Sequence, residues 1–259
     1  MAAKQRLWTR EELILAFNLY MKIEFGKTNK THPKIIELAN IINRTPSAVG
    51  MRLGNFASVD PYHQNRGVKG LSNGIRQVQP IWDEFFENKE ELIFESERIL
   101  AERQNIELED KYQQVLFDTR DLKGETKIRA VKTRVNQCVF RDIIMMNYSS
   151  KCAITNIDIP DLLFASHILP WSKNEKERLN PENGICLSAL YDRAFDRGYI
   201  SFNDDYKVLL SSTLKENSSK QYYAQYFAPI ENQKLIDTVK YNPSKHFLEY
   251  HRDTIFNSK

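Results

Sequence analysis

Three side chains in the C-terminal half have the types and spacing to do chemistry: His167, Asp192 and Asp196. His167 stands near the end of an otherwise apolar stretch, Leu162 to Ile168. A neutral imidazole there can serve as a general base, and a satisfied structural histidine fits the same place. Asp192 and Asp196 are four residues apart, so both carboxylates project from one face of a predicted helix. Two like charges so close need a cation or a basic side chain between them. Oxygen ligands suit a hard ion such as Mg2+ better than zinc. Pairing with Arg193, Arg197 or a neighbouring segment is the alternative.

The surrounding pattern supplies elements to hold these groups. Lys151–Asn156 and Leu162–Ile168 read as short strands, the second ended by Leu169-Pro170-Trp171. A polar loop runs through Lys173–Glu182, Asn183-Gly184 signals a turn, and Ile185–Leu187 is a brief apolar strand. Ser188 can cap a helix carrying Leu190, Asp192, Phe195 and Asp196, which Gly198 stops. Tyr199–Phe202 and Tyr206–Leu210 form a closing hairpin.

Three strings in this segment carry a family likeness. Ala165–Trp171 reads Ala-Ser-His-Ile-Leu-Pro-Trp, Asn180–Gly184 reads Asn-Pro-Glu-Asn-Gly, and Phe195–Gly198 reads Phe-Asp-Arg-Gly. Together they resemble the HNH, or ββα-metal, endonucleases, over about 126–212, and the combination is far more specific than any one string. The resemblance implies a hairpin ending in the catalytic His167, which activates water for attack on a phosphodiester. It implies that Asn183 holds the loop and orients that histidine, and that Asp192, with Asp196, binds one divalent ion, Mg2+ or Mn2+. Ser166 stands where relatives often have a metal-binding His or Asp, and is the weaker third ligand. Tyr191-Asp192 stands where many relatives have a histidine, a change we read as ligand exchange. The paired cysteines of a structural zinc site are absent, since Cys152 is followed by no CxxC partner.

The N-terminal part reads as helical. Thr9 and Glu12 have capping-box spacing before Leu13, Phe17 and Tyr20. A second helix starts at Pro33, and Thr45-Pro46 opens a third carrying Val49, Leu53 and Phe56. Two short helices joined by a tight turn read as a helix-turn-helix. On that reading Ser47, Gly50, Arg52 and Asn55 face away from the core, where Arg and Asn can bond base edges and Gly permits close approach. An ordinary helical hairpin with a solvated face is the bland reading. The loop Pro61–Gly74 adds Arg66 and Lys69 as groove-reaching cations or as parts of a connector.

Charge is segregated along the chain. Residues 1–75 hold 11 Lys/Arg against 5 Asp/Glu, 76–125 hold 7 against 14, and 126–150 hold 5 against 1. Basic blocks suit phosphates, and the acidic block is solvated or folded back on a basic neighbour. From Thr126 to Tyr148 a helix shows one apolar and one cationic face, with Arg134 and Arg141 available to track a backbone. The C-terminal aromatics, Tyr222 to Phe256, are expected to pack on the nuclease domain, with His246 and His251 outside the chemistry.

The expected architecture is therefore α+β: a helical DNA-binding region over 1–78, an acidic helical linker over 79–125, and an HNH nuclease domain over 126–259. The expected partner is double-stranded DNA, with a homodimer to cut both strands. With 259 residues, three cysteines, no long apolar run and no apolar leader at its start, the sequence suits a cytoplasmic protein away from membranes. The alternative function is a DNA-binding regulator that has kept the HNH scaffold without its activity.

Overall fold

Thr9 opens helix α1 (Arg10–Met21) with a complete capping box: its hydroxyl accepts from the Glu12 amide, and the Glu12 carboxylate accepts from the Thr9 amide. These features come from a computed structural model that describes residues 6–23, 26–67, 71, 73–112 and 123–256. The chain divides into two compact units, Met1–Val139 and Phe140–Lys259.

In the first unit, α2 (Pro33–Ile41) and α3 (Pro46–Val59) both begin with proline, whose missing N–H costs nothing at a helix start. Asn43, in the turn between them, takes a positive φ of 52°. Next come α4 (Pro61–Asn65), α5 (Ile75–Phe85), α6 (Lys89–Arg103), α7 (Leu108–Lys111) and α8 (Gly124–Asn147). The core centres on Phe17, whose ring stacks on Phe56 at 4.8 Å and on Trp82 at 4.9 Å.

The acidic stretch 79–125 does not stand apart as a linker where it is described. Trp82, Phe85, Leu92, Ile93 and Ile99 are buried in this unit, and α6 packs on α1. Its carboxylates fold back onto cations: Glu84 and Glu95 meet Arg10, Glu91 meets Lys132, and buried Glu97 lies between Lys22 and Lys111. Those two ammonium groups outweigh the desolvation of Glu97 and hold its carboxyl down to about 2.

Helix α3 corrects part of the expected DNA-facing surface. Asn55 does not face solvent, because Leu71 and Asn73 lie against its side chain. Asn55 is buried, and its Nδ2 donates to the carbonyls of Leu71 at 2.6 Å and Asn73 at 3.0 Å. Gly50 is likewise occupied within the unit, because a Cβ there would sit 2.7 Å from the Thr28 carbonyl oxygen. Arg52 is half-buried, its guanidinium over the Trp8 ring at 4.7 Å. Ser47 and Arg66 are exposed, and Arg66 donates to the Tyr62 hydroxyl at 2.9 Å. Arg134 is half-buried on α8 and donates to Gln137 Oε1 at 3.2 Å. Lys69 lies outside the described residues.

In the second unit, strand β1 (Leu163–His167) pairs antiparallel with β2 (Gly184–Ser188), setting His167 opposite Gly184. Helix α9 (Ala189–Asp196) follows β2 directly. Strands β3 (Ile200–Phe202) and β4 (Val208–Leu210) form a second antiparallel pair. Helices α10 (Ser212–Lys215) and α11 (Lys245–His251) lie beyond.

Residues 151–156 form turns rather than the expected strand. Ser149, Ser150 and Asn156 all have positive φ, and the Cys152 amide bonds back to the Ile157 carbonyl. The first strand of the expected hairpin is thus β1 itself, with β2 as its partner. Gly184 is required by packing: a Cβ there would sit 2.4 Å from Ile144 Cδ1 and 2.7 Å from Phe140 Cζ. Arg141 also serves the fold. It donates to the carbonyls of Leu163 at 2.5 Å and Pro160 at 2.7 Å, fixing the entry to β1 rather than presenting a free cation to phosphate.

Candidate active site

His167, at the end of β1, is held on three sides. Its ring stacks on Phe140 with centroids 3.9 Å apart and meets Trp171 edge-on at 5.3 Å. Its Nε2 lies 2.9 Å from the Arg178 carbonyl oxygen. A carbonyl can only accept, so Nε2 carries the proton and Nδ1 keeps the lone pair. Burial disfavours the imidazolium, and the ring's pKa falls to about 4. At neutral pH this is an uncharged histidine with a defined tautomer and one basic nitrogen.

Asn183 secures the loop that follows His167. It is buried, its Oδ1 accepts from the Leu169 amide at 2.7 Å, and its Nδ2 donates to the carbonyls of Leu169 and Glu177 at 3.2 and 3.0 Å. Its own carbonyl accepts from the Ile168 amide at 3.0 Å. Asn183 therefore acts on His167 through the backbone of residues 168–169.

His167 shares a pocket of about 490 Å³ with Ser166, Trp171, Asp192 and Asp196. The carboxyls of half-buried Asp192 and of more exposed Asp196 are both raised above their usual range, chiefly by partial desolvation in the pocket. For Asp196 the neighbouring Asp192 charge adds to the shift. Neither aspartate is ion-paired with Arg193 or Arg197 among the described residues. Ser166, the third ligand that the resemblance implies, lines the pocket beside this pair. It is buried, and its hydroxyl donates to Asp192 Oδ1 at 2.5 Å, which orients the carboxylate.

Tyr191, the neighbour of Asp192, is turned elsewhere. It is buried, and its hydroxyl donates to the Tyr226 carbonyl at 2.6 Å, so that oxygen anchors α9 to the C-terminal segment. Among the described residues no three His, Cys, Asp or Glu gather as a metal cluster. The donor set is two carboxylates, which suits a hard ion that keeps most of its water, as Mg2+ does.

Two contributors escape sequence reasoning. Arg178 matters for its carbonyl oxygen, a feature every residue has. Its side chain is committed to Trp171, donating to the carbonyl at 2.8 Å and stacking on the ring at 5.1 Å. His251 also borders the pocket. Both of its nitrogens are engaged, one with the Phe195 carbonyl and one with the Ser201 hydroxyl, each at 3.0 Å, and its ring stacks on Phe195 at 3.8 Å. Stacked on Phe195 in the last turn of α9 and bonded to Ser201 of β3, it ties those two elements together.

A neutral histidine at a strand end, an asparagine-clamped loop and a following helix with two carboxylates form a hairpin-and-helix site. Comparison with curated proteins returned no match. Comparison with protein families matched residues 152–203 to the family described as HNH endonuclease, a span that holds β1, β2, α9 and β3. In its second unit, then, the chain carries a nuclease domain of the HNH endonuclease family.

Proposed function

We propose that the protein is a metal-dependent DNA endonuclease of the restriction or modification-dependent type. One observation carries this reading: His167, neutral and with Nδ1 as its only basic nitrogen, shares one pocket with the carboxylates of Asp192 and Asp196. His167 Nδ1 takes a proton from water as it attacks the phosphorus, and Asn183 keeps the ring's loop in register. Asp192, oriented by Ser166, and Asp196 hold one divalent ion. When bound, that ion supplies positive charge to the strained phosphate and the leaving 3′ oxygen.

Selectivity would come from the first unit, where Arg52, Ser47 and Arg66 remain the candidates for DNA contact, joined by Arg134 and by Lys69. Asn55 and Arg141 drop from that set because internal carbonyls take their donors. Among the described residues no helix is long and apolar enough to cross a membrane. One active site per chain calls for a second copy to cut both strands, so a homodimer on duplex DNA belongs to the same reading.

The test is digestion of matched modified and unmodified duplexes with Mg2+, with Mn2+ or with chelator, followed by end mapping. Cleavage that needs the metal and leaves defined ends supports the reading. Equal fragmentation with chelator, or none under any condition, overturns it.

A further inference from the structure

Two cations beside the active-site pocket feel the charges of Asp192 and Asp196 without a close ion pair to either. Arg193 on α9 and Arg197 at its C-cap border the pocket and are solvent-exposed. Among the described residues neither makes a hydrogen bond or ion pair through its guanidinium, although each follows an aspartate directly. The other arginines nearby are committed: Arg141 to the carbonyls of Pro160 and Leu163, and Arg178 to Trp171. At 1.5 Å of rise per residue, Arg193 and Arg197 stand about 6 Å apart along the helix, so both can reach one extended strand.

We propose that Arg193 and Arg197 form a clamp for backbone phosphates of the bound strand, beside the phosphate that is cut. This rests on the nuclease reading and adds to it a phosphate subsite. The chemistry is that of a planar, permanently charged fork, which bonds phosphate oxygens two at a time. Charge balance makes the clamp useful. The two guanidiniums cancel the two carboxylates, so the pocket neither repels nor strongly attracts an anion by itself. A divalent ion on Asp192 and Asp196 tips it positive, which couples strand binding to metal binding.

The test uses the full-length chain with His167→Ala, so that the DNA stays intact, and a short fluorescent duplex as the probe. Binding is followed by anisotropy in KCl titrations at one fixed Mg2+ concentration. Each lost phosphate contact lowers the slope of log affinity against log salt by about 0.9. Arg193→Gln with Arg197→Gln should lower it by about 1.8, while Arg193→Lys with Arg197→Lys should keep it and lose affinity through the missing fork. A parental slope in the Gln pair, or an equal slope loss in the Lys pair, overturns the clamp and leaves the nuclease reading standing. Absence of duplex binding by the parent overturns both.

Discussion

The Ser166 hydroxyl donates to Asp192 Oδ1 at 2.5 Å, tying the residue before the histidine on β1 to the first turn of α9. The histidine and the carboxylates are thus set by one short link between two elements that are adjacent in space and 26 residues apart in sequence.

That link makes Ser166 a test of how Asp192 is held. Ser166→Ala removes the donor and lets the carboxylate rotate, so the Mg2+ concentration at half-maximal cleavage should rise about 10-fold, the low end for partners of a metal ligand. Metal titration of the cleavage rate measures this. An unchanged midpoint would mean that Asp192 does not depend on Ser166 for its orientation.

Asn183→Ala should cost both stability and turnover. It leaves the Leu169 amide and two carbonyls without their partner, a loss of about 1–3 kcal/mol for such buried groups. Thermal unfolding and cleavage should fall together. A variant with parental Tm and parental kcat would show that the loop is held by other contacts.

His251 makes stability sensitive to acid. Burial lowers its pKa from 6.5 to about 4, so as pH falls through 6.5 the unfolded chain takes up a proton that the folded chain refuses. Its contribution is complete above pH 6.5 and is lost as pH falls toward 4, about 3 kcal/mol in all. His251→Gln keeps a polar side chain without the charge change, so its Tm should drop less between pH 7 and pH 4.5 than the parent's. Equal drops would remove His251 from the account.

Arg52 and Asn55 should separate. Asn55→Ala breaks the tie to residues 71 and 73 and should lower the Tm of the first unit by an amount equivalent to about 1–3 kcal/mol. Arg52→Ala should leave the Tm closer to the parent's and weaken duplex binding. Anisotropy and calorimetry on the two variants check this, and the reverse pattern would put Asn55 back on the reading surface.

The site was legible where its residues are close in sequence. The strings around His167, Asn183 and Asp196 foretold a strand, a clamped loop and a helix, because each element is short and carries its own start and stop signals. What stayed hidden depends on distant backbone. No periodicity reveals that the Leu71 and Asn73 carbonyls take up the Asn55 amide, that the Arg178 carbonyl fixes the His167 tautomer, or that Tyr226 draws the Tyr191 hydroxyl away. The packing of α6 on α1 was hidden for a similar reason. Acidic composition suggests solvent exposure, yet Glu84, Glu91, Glu95 and Glu97 each meet a cation more than ten residues away in sequence.

The most direct test of the account is single-turnover cleavage by His167→Ala, with duplex binding measured in parallel. The account predicts a rate about 10²–10⁴-fold below the parent, as for loss of a general base, with affinity for the duplex unchanged. Cleavage at the parental rate by the folded variant would contradict it, because His167 Nδ1 would then not be the base.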